Sequence, residues 1–318
     1  MVSVEGQTGG PDDESTRRKG SSNASGSASA RNISAWPPAQ DRPGELEDRA
    51  SSLVTISAQG SETVEPRSPA PTPTVEQRSR SPRVSIVIPT LNENGNVSKL
   101  VMKIENLFSV EPEVIIVDDN SSDGTVESVL SLRQRFERIH VIQREIRGGI
   151  GSAVREGIRF ALDHTESDYV VTMDADWSHD PDQLPELLRA GRDADFVQGS
   201  RYAEGGRIVG WPPMRRLASI IGNNTCRILF NTGLHEHTTF YRVFNRECAQ
   251  LIVANVLDDG YAWGVRSLLE AMDAGFKAVE VPITFVERTN GESKLGVREM
   301  AGWLSSVVRL FVQRRRES

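Results

Sequence analysis

Hydrophobic positions divide the chain into a long polar N-terminal stretch and a region, from Val84 onward, in which apolar runs recur. In that region short β-branched runs alternate with longer segments whose apolar residues recur at helical spacing. This alternation is typical of a mostly parallel sheet whose strands are joined by crossover helices. The sequence therefore predicts an α/β fold with a mostly parallel central sheet and flanking helices.

The first half of this region carries five predicted strands with helices between them. The strands are predicted at 84–89, 113–119, 139–143, 169–176 and 194–201. One helix is predicted at 94–108, where five apolar residues share a face. Ser122 or Asp123 can cap the next helix, and the glycine-rich run 148–154 opens a third helix that continues to about Leu162.

The alternation changes after Arg201, where a Gly/Pro-rich loop leads into a long predicted helix at 215–230. Further strands are predicted at 238–244 and 277–285, and further helices at 263–274 and 296–315. The second half is therefore more than another strand–helix repeat.

Composition separates residues 1–82 from the rest of the chain. They contain 15 Ser, 9 Pro and 7 Gly, but only one of the 19 aromatic residues, Trp36. Such a stretch cannot bury enough apolar surface to offset its ordering entropy, so we predict a disordered tail. Residues 83–318 suit one large domain.

Charge, hydropathy and cysteine usage exclude several classes of protein. Residues 83–318 hold 28 basic and 33 acidic residues, which gives no support to nucleic-acid binding. No run approaches about 18 apolar residues, and no apolar core segment follows the N-terminus, so neither a transmembrane helix nor a secretory signal is expected. Cys226 and Cys248 are expected to be thiols in a reducing compartment.

Acidic residues collect where the predicted strands end. Ligands of open α/β sheets bind outside these carboxyl ends, which here carry Glu93, Asp118, Asp119, Asp174 and Asp176. Asp174 and Asp176, one residue apart, can reach a common Mg²⁺ or Mn²⁺ ion together with phosphate oxygens. The sequence leaves open a plainer role, in which one of them caps the helix after Pro181.

The glycine cluster at 148–154 resembles a dinucleotide-binding loop but departs from it twice. The third glycine of that fingerprint would fall at Val154, and the cluster follows the third strand rather than the first. A nicotinamide-binding enzyme is therefore disfavoured. The glycines could still let the backbone approach a phosphate or a sugar at a helix N-terminus.

Six motifs in order resemble those of one family. They are VSIVIPTLNE (84–93), VIIVDDNSSDGT (114–125), GGIGSAVREG (148–157), TMDADWSHDPDQLP (172–185), GSRY (199–202) and VPITFVERTNGESKLG (281–296). Together they resemble the inverting GT-A glycosyltransferases that act on polyprenyl phosphates, in particular the catalytic domains of dolichol-phosphate mannosyltransferases. The resemblance implies a GT-A nucleotide-diphospho-sugar transferase fold for 83–318, with a C-terminal amphipathic helix.

The resemblance implies a role for each matching residue. The base and ribose of a nucleotide sugar would be lined by Pro89, Glu93, Asp118 and Asp119. The metal and the diphosphate would be held by Asp174 and Asp176. The acceptor phosphate would be bound by Arg215, Ser219 and Arg242, and the catalytic residues would be Asp176, Arg201 and Arg242.

The chain departs from the family pattern at two places. Ser178 stands where archaeal members often have Gln, so a third protein ligand to the metal is in doubt. The segment EHTTFYR (236–242) stands where the family typically has Asp-x-Thr-(Gly/Ala/Ser)-x-Phe-Arg. Glu236, Thr239 and Tyr241 therefore predict a reshaped wall beside the acceptor or the sugar.

The chemistry implied by the family needs no general base. A phosphate monoester has a second pKa near 6 and is already a nucleophile near pH 7, so none of the five histidines is assigned a catalytic role. A divalent cation would stabilise the departing diphosphate, and arginine forks would hold the phosphates. The predicted reaction is inverting transfer of mannose from GDP-mannose onto polyprenyl or dolichyl phosphate. The alternatives are UDP-glucose or another nucleotide sugar as donor, and a non-catalytic nucleotide-sugar-binding relative.

An isoprenoid acceptor requires contact with a membrane surface. Residues 210–222 mix aromatic, aliphatic and basic side chains, and the C-terminal helix ends in three arginines, 314–316. That helix could instead pack on the core, and both can hold. The resemblance implies a peripheral location on the cytoplasmic face of a membrane, and it allows a small integral membrane subunit as a partner.

Overall fold

The structure is a computed structural model that describes residues 82–287 and 297–317. The predicted disordered tail, residues 1–82, lies outside the described residues except for Pro82. The last part of the sixth motif, residues 288–296, lies outside them as well.

A seven-stranded sheet forms the centre of the described region. Its strands are β1 (Val84–Thr90), β2 (Glu113–Asp118), β3 (Ile139–Gln143), β4 (Tyr169–Thr172), β5 (Phe196–Ser200), β7 (Arg242–Asn245) and β8 (Ala278–Pro282). The spatial order is β3-β2-β1-β4-β7-β5-β8, and all neighbours are parallel except β7, which runs antiparallel to both β4 and β5. Two short strands, β6 (Arg207–Val209) and β9 (Thr284–Val286), pair in parallel as a second sheet.

Helices cover both faces of the central sheet. They are α1 (Asn94–Glu105), α2 (Thr125–Leu130), α3 (Ile150–His164), α4 (Leu184–Ala190), α5 (Pro213–Phe230), α6 (Arg246–Asn255), α7 (Ala262–Asp273) and α8 (Val297–Glu317). Because side chains alternate along a strand, Ile86 and Ile88 of β1 pack in the core that includes Leu100 of α1, whereas Val87 packs with Ile158 of α3. The predicted α/β class with a mostly parallel sheet is therefore confirmed.

Three predicted strands differ from the structure in ways that matter for the site. The strand predicted at 169–176 ends at Thr172, so the acidic pair lies in the following loop. The strand predicted at 238–244 is β7, which starts at Arg242; before it, Glu236, Thr238 and Thr239 bond through their side chains. The strand predicted at 277–285 is split at Ile283 between the two sheets.

Helix α6 and strand β6 are absent from the sequence prediction. The signal for α6 is visible in hindsight, because Asn245 caps the helix by accepting from the Cys248 amide at 2.8 Å. Buried Cys248, Ala249 and Ile252 follow at helical spacing. Strand β6 has three residues, too few for a periodic pattern. Cys226 and Cys248 are both buried.

Candidate active site

The predicted acidic residues follow three neighbouring parallel strands. Strands β2, β1 and β4 lie side by side, so their carboxyl ends share one edge of the sheet. Glu93 follows β1, Asp118 and Asp119 lie at the end of β2, and Asp174 and Asp176 follow β4. The fold thus brings the three groups to the edge where α/β sheets bind ligands.

Asp118 ties two strand ends together. Its carboxylate is fully buried and accepts hydrogen bonds from the Thr90 hydroxyl at 2.9 Å and from the Ser121 amide at 2.8 Å. The Ser121 hydroxyl also donates to it, at 2.5 Å. The prediction that Asp118 contacts the base or ribose is therefore not supported by its position, because its oxygens are occupied and inaccessible.

Asp119 organises the glycine cluster. Its carboxylate accepts from the amides of Gly148 and Gly149, at 3.0 and 3.1 Å, and from Arg144 Nη1 at 3.0 Å. The Gly151 amide donates to the Asp259 carbonyl at 2.8 Å. Protein acceptors therefore already occupy the N-terminus of α3, which does not support a phosphate or sugar there. The same bonds turn the Asp119 carboxylate toward the loop rather than toward a ribose.

Glu93 and Pro89 keep partly exposed surface at the end of β1. Glu93 Oε2 accepts from Asn96 Nδ2 at 2.9 Å, and the Glu93 amide donates to the Thr125 hydroxyl at 2.9 Å. The loop after β1 is thereby fastened to the loop after β2.

Asp174 and Asp176 lie in the loop after β4 with partly exposed side chains. Asp176 Oδ1 accepts from the Ser178 amide at 3.1 Å. The alternative of helix capping is not supported, because the turn that begins at Pro181 is capped by Asp180, whose carboxylate accepts from the Asp182 amide at 3.0 Å.

The donor set of this pair fits a hard divalent cation that shares its coordination with a ligand. Within residues 82–287 and 297–317, no three His, Cys, Asp or Glu side chains cluster as a complete metal site. Two accessible carboxylates supply the oxygen ligands that Mg²⁺ and Mn²⁺ prefer, and leave the remaining positions to water and phosphate. Ser178 is buried, which does not support it as a third ligand.

Arg201 is held by the carboxylate of Glu236, a residue that the sequence predicts to reshape the wall beside the acceptor or the sugar. Its Nε and Nη2 donate to the two oxygens of Glu236 at 2.7 and 2.8 Å, and Nη2 also donates to the Thr238 hydroxyl at 2.7 Å. Burial alone would raise the pKa of Glu236, but the Arg201 charge and the hydrogen bonds lower it to about 2. The Arg201 guanidinium, which the sequence predicts to hold a phosphate, is thus already hydrogen-bonded within the protein.

Aromatic rings connect Arg201 to Arg215. The Arg201 guanidinium lies 5.1 Å from the centroid of the Trp211 ring and 5.2 Å from that of Phe285. Arg215, in the first turn of α5, lies 4.2 Å from the same Trp211 ring, and its Nη1 donates to Glu287. The structure therefore gathers both arginines around one indole.

Ser219 lies one helical turn after Arg215 on α5 and is partly exposed. This spacing places the two residues on the same side of the helix. Both positions are compatible with the predicted acceptor phosphate site.

Arg242 does not line an open pocket. Its side chain is fully buried, Nη1 donates to the Ser267 hydroxyl at 2.6 Å, and Nη2 donates to the His237 carbonyl at 3.2 Å. Burial lowers its pKa to about 9. The prediction that Arg242 contacts a phosphate is not supported, because β7 directs this side chain beneath α7, close to the Trp263 ring.

The three departures from the family pattern each have a partner in the structure. Glu236 pairs with Arg201, the Thr239 hydroxyl lies 3.0 Å from His179 Nε2, and the Tyr241 hydroxyl donates to the Asp180 carbonyl at 2.8 Å. His179 is itself buried, and burial lowers its pKa to about 3. Segment 236–241 therefore holds both Arg201 and the loop after β4 in place. The sequence motifs did not predict this role.

The family model for glycosyl transferase family 2 matches residues 85–252. The undecaprenyl-phosphate mannosyltransferase of Micrococcus luteus is 38% identical over 216 residues, which is 67% of this chain and 87% of the relative. The polyprenol monophosphomannose synthase of Mycolicibacterium smegmatis is 37% identical over 217 residues, covering 67% of this chain and 81% of the relative.

Solved structures share the fold at low identity. Glucosyl-3-phosphoglycerate synthase from Mycobacterium tuberculosis, in complex with Mn²⁺, uridine diphosphate and its product, superposes with a TM-score of 0.55 at 18% identity. The match covers 76% of this chain and 85% of that chain. A second structure of that synthase, with Mg²⁺ and uridine diphosphate, gives 0.53 at 19% identity, with 72% and 79% covered. The predicted GT-A fold class is confirmed.

Proposed function

Because the chain belongs to glycosyl transferase family 2, we propose that it transfers mannose from GDP-mannose onto a polyprenyl phosphate. The observation that carries this proposal is the identity to two bacterial mannosyltransferases, which extends over most of each relative. The sheet edge described above supplies the chemistry that the reaction needs.

The donor is assigned to the edge formed by β1, β2 and β4. Pro89 and Glu93 offer partly exposed surface to the base and ribose. Asp118 and Asp119 act on this pocket through the loops that they fasten, since their carboxylates bond within the protein. Asp174 and Asp176 are left to face the diphosphate.

Asp174 and Asp176 are proposed to hold Mg²⁺ or Mn²⁺. When bound, the ion would stabilise the negative charge that develops on the departing diphosphate. The chain's own contribution is to present two carboxylates from one short loop, with Asp176 oriented by the Ser178 amide.

The acceptor phosphate is assigned to Arg215 and Ser219, beside Arg201. A phosphate monoester near pH 7 is a nucleophile without proton removal, so the site requires orientation rather than a base. Buried His179, with a pKa near 3, does not supply a proton acceptor at the surface. In-line attack opposite to the departing diphosphate inverts the anomeric centre, which predicts a β-linked product from an α-linked donor.

Exposed apolar side chains on α5 and α8 form the proposed membrane-contacting face. Those of α5 are Met214, Leu217, Ile221 and Ile228, and those of α8 are Leu304, Val308 and Val312. The two helices contact each other, since the rings of Phe230 and Phe311 lie 6.2 Å apart. On its other side, α8 buries Val307 against Cys226. Both predicted roles of α8, core packing and an exposed apolar face, thus fit the structure.

Basic residues accompany this face in the last turn of α8, where Arg315 and Arg316 follow Arg314, which bonds to Asp273. Within the described parts of the chain, no helix combines the length and apolar character needed to cross a bilayer. We place the protein peripherally, on the cytoplasmic face of a membrane. A small integral subunit is the other occupant of this face that the family resemblance allows.

The proposal is tested by transfer of radiolabelled sugar into an organic-extractable product. The full chain is given a short polyprenyl phosphate in detergent and either GDP-mannose or UDP-glucose, with Mg²⁺, Mn²⁺ or EDTA. We expect label from GDP-mannose alone, lost with EDTA and in Asp176→Asn. Full activity with EDTA would reject the metal assignment, and label from UDP-glucose alone would reject the donor.

A further inference from the structure

His179 lies in a closed environment directly beneath the acidic loop. It is 1% exposed, its ring stacks on Tyr241 at 4.9 Å between centroids, and its edge meets the Phe285 ring at 5.6 Å. Its backbone forms an isolated β-bridge with Phe285. The ring is thereby fixed in position from two sides.

Both ring nitrogens of His179 are engaged. Nδ1 lies 3.0 Å from the backbone nitrogen of Asp174, and Nε2 lies 3.0 Å from the Thr239 hydroxyl oxygen. A backbone amide can only donate, so Nδ1 must be the acceptor and the ring proton must be on Nε2. Nε2 therefore donates to the Thr239 hydroxyl. This bond favours the tautomer with its proton on Nε2, which leaves Nδ1 able to accept from the Asp174 amide.

We propose that His179 is a positioning residue for the metal-binding loop, and that Thr239 fixes its tautomer. This inference rests on the proposed metal site at Asp174 and Asp176. The backbone of Asp174 leaves the sheet after Thr172 and has the His179 ring as the acceptor for its amide. Without that acceptor the amide is left to bond elsewhere, and the Asp174 carboxylate moves with it.

Thr239 supplies the hydroxyl on which this arrangement depends. The resembling family typically has Gly, Ala or Ser at this position, whereas the threonine here is 4% exposed and faces His179. The Thr239 hydroxyl also accepts a hydrogen bond from the Tyr241 amide at 3.3 Å, and this second bond fixes the position of the hydroxyl. One hydroxyl thus links segment 236–241 to the metal-binding pair.

The test compares Thr239→Val, which removes the hydroxyl at nearly constant shape, with Thr239→Ser, which keeps it. Two further variants act on the ring: His179→Asn retains an acceptor near the Nδ1 position, and His179→Leu retains none. Mn²⁺ binding in the presence of GDP is measured by electron paramagnetic resonance of free Mn²⁺, and thermal unfolding is measured on each protein.

We expect Thr239→Val to weaken Mn²⁺ binding about tenfold or more, as loss of an outer partner of a metal ligand does. Thr239→Ser should bind as the wild type does. His179→Leu should lose at least as much affinity as Thr239→Val, and His179→Asn should recover part of it.

Equal Mn²⁺ affinity in Thr239→Val, Thr239→Ser and the wild type would overturn the inference while leaving the metal site intact. Failure of the wild type to bind Mn²⁺ in the presence of GDP would instead reject the metal assignment under the proposed function, and the inference with it. A loss in Thr239→Val that only parallels a fall in thermal midpoint, together with equal losses in His179→Asn and His179→Leu, would also overturn the positioning role.

Discussion

Substitution of Glu236 by Gln tests the buried ion pair that holds Arg201. The variant keeps the size of the side chain and an oxygen for the Thr238 amide, but removes the charge opposite Arg201. Glu236 is fully buried and Arg201 is 8% exposed, so water cannot replace the lost carboxylate. Removing one partner of a buried pair typically costs about 3–5 kcal/mol of folding free energy.

The pKa of Glu236 gives a second measure of the same interaction. Its fall from 4.5 to about 2 corresponds to about 3 kcal/mol in favour of the charged form in the folded state. Because the folded-state pKa is the lower one, this stabilisation is complete above about pH 5 and is lost as the pH falls toward 2. The wild type should therefore lose about 1 kcal/mol of it by pH 4, whereas Glu236→Gln has no such carboxylate to lose.

The assay is urea denaturation of the full chain and of Glu236→Gln at pH 7 and pH 4. Arg201→Met and the double variant complete a thermodynamic cycle. We expect Glu236→Gln to be about 3 kcal/mol less stable than the wild type at pH 7, and the difference between the two proteins to be smaller at pH 4. The double variant should lose less free energy of unfolding than the two single variants lose together. A change below about 1 kcal/mol at pH 7, or strict additivity, would refute the argument.

Three further sets of substitutions test other parts of the structure. Gly151→Ala should lower stability by about 1–3 kcal/mol in urea denaturation, because its Cβ would lie 2.5 Å from the Asp258 carbonyl oxygen; Gly95→Ala, with nothing within 4 Å, is the matched control. Arg242→Met should leave the KM for polyprenyl phosphate unchanged while Arg215→Met raises it severalfold, and the reverse order would restore Arg242 to the acceptor site. Replacing Leu304, Val308 and Val312 together by Ser should abolish flotation of the purified chain with phosphatidylglycerol-containing vesicles, and undiminished flotation would remove α8 from the membrane-contacting face.

Much of the fold follows from local patterns in the sequence. Strands β1 and β2 are continuous apolar runs buried on both faces, so their position and type were predictable. The antiparallel direction of β7 was not predictable, because the direction of a strand depends on how the chain returns to the sheet. The end of β4 was also missed, since Met173 is buried and apolar and continues the strand pattern into the loop.

The candidate site was predictable in its chemistry and less so in its contacts. The carboxylates at strand ends and the arginines of the motifs were identified, and Asp174, Asp176 and Arg215 are partly exposed, as ligand contact requires. Asp118 belongs to the second motif and Arg242 to segment 236–242, yet both are fully buried. Burial of a charged side chain depends on partners that are distant in sequence, such as Ser267 for Arg242. The spacing of neighbouring residues does not predict these partners.

The segment 236–241 shows the limit most clearly. Read one residue at a time, Glu236, Thr239 and Tyr241 are departures that predict a reshaped wall. In three dimensions they bond to Arg201, His179 and Asp180, at sequence separations of 35 to 61 residues. Hydrogen bonds between residues so far apart in sequence can be identified only when the three-dimensional positions of both residues are known.

The most direct test of the proposed function is analysis of the lipid product formed from a mixture of donors, with the hexose identified by mass spectrometry and the anomeric linkage by NMR. The full chain, Mg²⁺ and a polyprenyl phosphate are incubated with equal concentrations of GDP-mannose and UDP-[¹³C]glucose, so that the hexoses differ in mass. The account predicts unlabelled hexosyl-phosphoryl polyprenol, β-linked and absent when EDTA is added. A ¹³C-labelled product, or an α-linked one, would contradict it.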